Sequence, residues 1–180
     1  MMLYYIHGYE SSPLSTKGVL LRQKLGVEPI QYRDGEPEDL VISEALQRIK
    51  KHIQESDEVT LIGSSLGGFL AAATALDQKN VKSLILLNPA IIPPSVDINT
   101  LDSTVPKHIT QAMQRPALFT RQIAARCFLI IGTQDEVVPN EWGIMFAKQQ
   151  QATVLFVQDD HRLSKTTPKL IELIPSLLQR

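Results

Sequence analysis

The chain has 180 residues, 43% hydrophobic and 21% charged, proportions of an ordinary folded domain rather than a disordered, collagen-like or coiled-coil chain. Lys and Arg number 18 against 19 Asp and Glu, leaving a net charge of -1 that offers no bulk attraction to nucleic acid or an anionic membrane. The lone cysteine, Cys127, cannot close an internal disulfide, and its apolar setting predicts a buried, inert thiol.

Leu3–Ile6 reads as the first strand. The residues around it have neither the basic segment nor the apolar length of a signal peptide, and no run approaches the length of a membrane span, so a soluble cytoplasmic protein is expected. Ile6-His7-Gly8-Tyr9-Glu10-Ser11-Ser12 follows as a loop in which Gly8 permits close approach of another backbone. Glu28–Tyr32 is the second strand. From Glu38 to Glu55, Leu40, Val41, Ala45, Ile49 and Ile53 recur on one stripe while Glu44, Arg48 and Lys51 face elsewhere, predicting an amphipathic helix.

Glu58–Ile62 is the third strand, and it runs into Gly63-Ser64-Ser65-Leu66-Gly67, a G-x-S-x-G motif that opens a helix over Leu66–Leu76. A serine on such a strand-to-helix turn takes a strained backbone conformation that exposes its hydroxyl, and the flanking glycines remove side chains that would collide there. The Leu66 N–H, at the positive end of the helix, lies where an oxyanion would form. Ser64 lacks glycines two residues before and after it, so the motif centres on Ser65.

Ser83–Leu87 is the fourth strand. Beyond it, Asn88–Arg126 carries Pro89, Pro93, Pro94, Pro106 and Pro116 and is too long and proline-rich for a simple crossover helix. Its apolar residues, among them Ile91, Ile92, Met113, Leu118 and Phe119, admit two readings: a small cap over Ser65 whose apolar side forms an acyl pocket, with Met113 and Phe119 as walls, or ordinary core packed on the sheet. The fifth strand, Cys127–Ile131, ends in Gly132-Thr133-Gln134-Asp135-Glu136. After a helix over Asn140–Gln150, the sixth, Thr153–Val157, ends in Gln158-Asp159-Asp160-His161. A final helix spans Thr167–Leu178 with Pro168 in its first turn.

Short strands that are apolar throughout, alternating with helices, specify a three-layer α/β domain over residues 1–180 with a six-stranded, mainly parallel sheet and a short insertion, 88–126, after the fourth strand. A serine hydroxyl needs a base, and Asp135 and His161 each follow the carboxyl end of a later strand. The chain order Ser65, Asp135, His161 is that of α/β-hydrolases. His7, His52 and His108 are bases by residue type alone, and none has His161's strand end and order. Glu136 competes with Asp135 as the acid, whereas Asp159 and Asp160 read as a solvated turn. The second oxyanion donor is expected at the Tyr9 N–H, with His7 orienting the loop; Ser11, Ser12 and the Tyr9 ring admit two readings, lining of the substrate site or an ordinary polar loop. No zinc spacing, Walker loop or dinucleotide fingerprint occurs, so neither a metal nor a cofactor is expected.

These motifs together make the sequence resemble the α/β-hydrolase superfamily, and within it the small YqiA/YcfP-like esterase branch. The likeness covers nearly the whole chain and rests on Tyr5-Ile6-His7-Gly8-Tyr9-Glu10-Ser11-Ser12-Pro13, Gly63-Ser64-Ser65-Leu66-Gly67-Gly68, Leu87-Asn88-Pro89-Ala90, Gly132-Thr133-Gln134-Asp135-Glu136-Val137 and the late His161. It implies a nucleophile at Ser65, an acid at Asp135, a base at His161 and oxyanion donors at Tyr9 and Leu66. It also implies a sheet in which the first strand enters centrally and the second lies outside it. The Gln158-Asp159-Asp160 segment departs from relatives, which tend to have glycine there. The expected activity is hydrolysis of a small-molecule carboxylic ester or thioester through an acyl-serine. Acyl transfer to another acceptor, and a non-hydrolytic interaction module on the same scaffold, are the alternatives.

Overall fold

The computed structural model describes residues 1–101 and 103–179. Six strands, β1 (Met2–Ile6), β2 (Glu28–Pro29), β3 (Val59–Ser64), β4 (Val81–Leu87), β5 (Arg126–Gly132) and β6 (Thr153–Val157), form one sheet in the order β2-β1-β3-β4-β5-β6. All five pairings are parallel. The second strand lies outside the first, as the resemblance implies, but β1 stands one place in from the edge and β3 and β4 take the centre.

The continuous apolar runs are explained by cover on both faces. Tyr4, Ile6, Leu61, Leu84, Leu86, Leu129 and Ile131 join one apolar cluster, while their chain neighbours Tyr5, Ile62, Ile85, Leu87, Phe128 and Ile130 join the other. Successive strand side chains point to opposite faces, so both sets are buried only if helices lie on both sides. The first cluster includes residues of α2 (Ile42–Ile53), α3 (Leu66–Ala75), α4 (Lys107–Met113) and α5 (Asn140–Gln150). The second includes Leu21 of α1 (Thr16–Leu25) and Leu170, Ile174 and Leu177 of α6 (Leu170–Leu178). Cys127 is buried within the first cluster, and burial raises its thiol pKa to about 12, so it stays protonated.

Several elements differ from expectation. The β2 ladder covers two residues, Glu28–Pro29, rather than Glu28–Tyr32; Ile30 N–H donates to Tyr5 O, so the missing N–H of Pro29 falls on the side away from β1, as suits an edge strand. The helix expected from Glu38 starts at Ile42, after a 3-10 turn over Pro37–Asp39. α1 has no counterpart in the sequence reading. It is capped by Ser15 Oγ, which accepts from Gly18 N, and ends at left-handed Gly26, but only Gly18 and Leu21 are buried, so no apolar stripe announces it.

The excursion is folded into the helix layer. It consists of 3-10 turns over Ile98–Thr100 and Pro116–Phe119 on either side of α4. Ile91, Ile109 and Leu118 are fully buried. Gln150 of α5 staples the segment down, donating to Leu118 O and Arg121 O and accepting from Ile123 N. Among the described residues, no helix is long and apolar enough to cross a membrane.

Candidate active site

Ser65 sits between β3 and α3 with φ 54° and ψ −119°, a conformation that a side chain-bearing residue avoids. Its backbone holds this turn from four directions. Its N–H donates to Leu87 O, and its carbonyl accepts from Gly68 N, Phe69 N and Ala90 N. The glycines are steric necessities: a Cβ on Gly63 would lie 2.3 Å from Gly67 O, and one on Gly67 would lie 2.0 Å from Ile6 O. α3 can therefore sit against β1 and β3 with Ser65 at the apex.

Asp135 and His161 come from the loops after β5 and β6, at the same end of the parallel sheet. His161 Nε2 lies 3.0 Å from Ser65 Oγ, and His161 Nδ1 lies 2.9 Å from both Asp135 carboxylate oxygens. The Asp135 side chain is 1% exposed and that of His161 13%. Asp135 Oδ1 also accepts from Val137 N and Val138 N, each at 2.9 Å, which fixes the carboxylate before it meets the ring. Glu136 takes a different place, accepting from the His161 backbone N–H at 3.2 Å.

The Tyr9 loop reaches this apex. A Cβ on Gly8 would lie 3.4 Å from both Ser64 O and Ser65 Cβ, so the backbone just before Tyr9 rests against Ser65. Among the described residues, neither the Tyr9 N–H nor the Leu66 N–H donates to another backbone group. Two residues that the sequence reading did not single out buttress the loop. Tyr32 Oη donates to His7 O and Gly8 O, and the Arg33 guanidinium donates to Tyr9 O and Ser11 O. Their only sequence signal is position, directly after β2 and beside β1. His7 stacks on Tyr32 at 4.3 Å, with its Nδ1 2.8 Å from Gly8 O. Burial lowers its pKa to about 4, so its ring is neutral.

The remaining expected residues make local contacts of their own. Ser12 Oγ closes a local turn by accepting from Leu14 N, and Ser11 is half-buried. Met113 is buried in the helix layer and Phe119 packs edge-on against Phe146 of α5. A groove of about 430 Å³ between α2 and α4 is lined by Leu40, Val41, Ile42, Leu46, His108 and Ala112; it does not include Ser65, Met113 or Phe119.

The solvated turn expected at Asp159 is instead an internal staple. Asp159 is 1% exposed, and its carboxylate accepts from the N–H groups of Asp160, Lys165 and Thr166. Burial raises its pKa, but these bonds outweigh that and leave it below the usual carboxylate value. Asn88, which the sequence reading placed in the Leu87-Asn88-Pro89-Ala90 motif without a role of its own, has φ 43° and is 2% exposed, with its side-chain amide bonded between the β5 end and the histidine loop.

Chemically, this arrangement can move a proton from Ser65 Oγ to His161 Nε2 while Asp135 faces the other ring nitrogen, with two N–H groups near the same apex. Among the described residues, no group of three or more His, Cys, Asp or Glu side chains is placed to hold a metal ion.

A family described as an uncharacterised protein family, UPF0227, matches residues 2–177. No curated protein matches the sequence. Among solved structures, Est1E from Butyrivibrio proteoclasticus with bound ferulic acid is 20% identical with a TM-score of 0.79, over 99% of this chain and 88% of its own. Mouse alpha/beta hydrolase domain-containing protein 10 is 19% identical with a TM-score of 0.78, over 98% and 89%. The monoacylglycerol lipase of Paleococcus ferrophilus is 16% identical with a TM-score of 0.78, over 98% and 93%. The fold is that of the α/β-hydrolases.

Proposed function

The chain belongs to the UPF0227 family, and from the geometry of its site we propose that it is a serine hydrolase cleaving a small-molecule carboxylic ester or thioester through an acyl-serine intermediate. The observation that carries this reading is the hydrogen-bonded chain from Ser65 Oγ through the His161 ring to the buried Asp135 carboxylate, at 3.0 and 2.9 Å. The structural neighbours support it: one is named a monoacylglycerol lipase and another holds ferulic acid, a carboxylic acid.

In this mechanism His161 Nε2 takes the Ser65 proton as Oγ attacks the acyl carbon. Asp135 keeps the other ring proton on Nδ1 and stabilises the imidazolium that forms. The carbonyl oxygen becomes negative in the tetrahedral intermediate and is received by the N–H groups of Tyr9 and Leu66. Collapse breaks the bond to the alcohol or thiol, which leaves with the proton from His161. Water then enters, gives a proton to His161 and releases the acid from Ser65 by the same steps in reverse order.

The test is burst release of p-nitrophenol from short acyl esters by the wild type and Ser65→Ala. A burst in the wild type alone is expected; equal activity in the two would refute the proposal. A fluorophosphonate probe gives a second readout, since labelling confined to Ser65 marks an enzyme and absence of labelling on folded protein marks a non-catalytic module.

A further inference from the structure

We infer that Asn88 is the positioning residue that sets the pose of His161, an assignment that rests on the hydrolase reading above. Its side chain makes three bonds to two different loops. Asn88 Oδ1 accepts from Gly132 N at 2.7 Å, and Asn88 Nδ2 donates to Asp160 O and His161 O, each at 3.0 Å. The surrounding backbone reaches the same parts: Asn88 N donates to Ile130 O, the preceding carbonyl of Leu87 accepts from Ser65 N, and Ala90 N donates to Ser65 O. One short segment therefore touches the turn bearing the serine, the strand that leads to the acid and the loop bearing the histidine.

The His161 main chain is gripped at both ends of its residue, at the N–H by Glu136 and at the C=O by Asn88. With the backbone fixed, the ring has only its rotamer to choose, and Asp135 selects it through Nδ1. A 1 Å drift of the loop would stretch the 3.0 Å approach to Ser65 beyond hydrogen-bonding range. The fit of residue type is specific. The position has φ 43°, which Asn tolerates better than most residues. It also needs one acceptor and two donors in a single planar group, which an amide supplies and a carboxylate does not. Gly132 completes the packing, since a Cβ there would lie 2.6 Å from Asp159 O and 2.8 Å from Asp160 O.

Two variants test the inference. Asn88→Gly keeps the positive φ accessible and deletes the amide; Asn88→Asp keeps the acceptor toward Gly132 and replaces both donors with an oxygen facing two carbonyls. The first readout is kcat per active site, titrated by fluorophosphonate, with KM measured separately. A loss on the order of 100-fold in kcat is expected, as a misplacement of about 1 Å produces, with KM changed less than about 2-fold, as expected when only the step after binding suffers. The second readout needs no turnover: long-range 1H–15N correlation of the His161 ring, assigned with His161→Gln. A single Nδ1–H tautomer in the wild type and a mixture in both variants is the expected result.

The inference is overturned if either variant keeps wild-type kcat and ring spectrum. It is equally overturned if the wild-type ring is already a mixture of tautomers, if activity falls only in proportion to the folded fraction, or if neither variant folds. Absence of ester turnover in the wild type would instead count against the hydrolase proposal, and the ring spectra would still decide the role of Asn88.

Discussion

Ser65→Gly is expected to be more stable than Ser65→Ala, although both are expected to lose the reaction. Ser65 holds φ 54° and ψ −119°, a region that costs a residue with a side chain about 1–3 kcal/mol. Both substitutions forfeit the 3.0 Å bond to His161, a common loss of about 0.5–1.5 kcal/mol that cancels in the comparison. Alanine retains the backbone strain. Glycine removes it but gives the unfolded chain extra freedom, which offsets about 0.4–1 kcal/mol. The difference left in favour of glycine is about 1 kcal/mol, which in a chain of 180 residues raises Tm by about 2–4 °C. Thermal and urea denaturation of the two variants beside the wild type measure it, with fluorophosphonate labelling confirming that neither is reactive. If Ser65→Gly melts at or below Ser65→Ala, the turn does not store strain and the argument for its exposed hydroxyl fails.

Asp135→Asn is expected to keep the fold while lowering kcat on the order of 10⁴-fold, since an amide can favour the wrong tautomer of His161; near-wild-type kcat would remove Asp135 from the proposed triad. His7 gives a pH dependence of stability. Its unfolded pKa is near 6.5 and burial lowers the folded value to about 4, so the unfolded chain binds the proton first and stability falls as pH drops through that window, by up to about 3 kcal/mol. Urea midpoints between pH 7 and pH 4.5 should therefore slope in the wild type and flatten in His7→Gln, and identical slopes would refute it. Leu118→Ala, at a fully buried site, should cost about 2–5 kcal/mol and leave acyl-chain preference unchanged. A changed chain-length profile with little loss of stability would favour the cap reading of the excursion over the core reading.

The placement of Ser65, Asp135 and His161 was legible because each follows a strand of one parallel sheet, and such strands deliver their carboxyl-end loops to a common edge. What escaped the sequence was whatever depends on partners distant in the chain. Asp159 looks like a polar turn residue until the N–H groups of Lys165 and Thr166 fold back on it. Tyr32 and Arg33 acquire meaning only because β2 lies beside β1, which brings them to the Tyr9 loop. α1 was invisible for another reason: Gly18 within it, whose Cβ would lie 2.2 Å from Pro13 O, weakens the local helix signal in favour of a contact that no periodicity encodes. In the excursion, apolar composition alone could not separate a pocket wall from core.

The uniformly parallel ladder also governs when the site can first exist. Neighbouring parallel strands cannot be joined by a tight hairpin, so every pairing waits for a crossover segment to be made and folded back. Ser65 and His161 are 96 positions apart, and between them the ribosome must deliver β4, the excursion, β5 and β6. The glycine-framed turn needs the end of β4 as well as β3 and α3, since Leu87 O and Ala90 N bond its backbone, and in the proposed triad it has no base until the last strand of the sheet docks. Under the proposed mechanism a growing chain carries a serine without its base until His161 has been made and β6 has docked, and labelling by a serine-directed probe would report completion of the sheet's final edge.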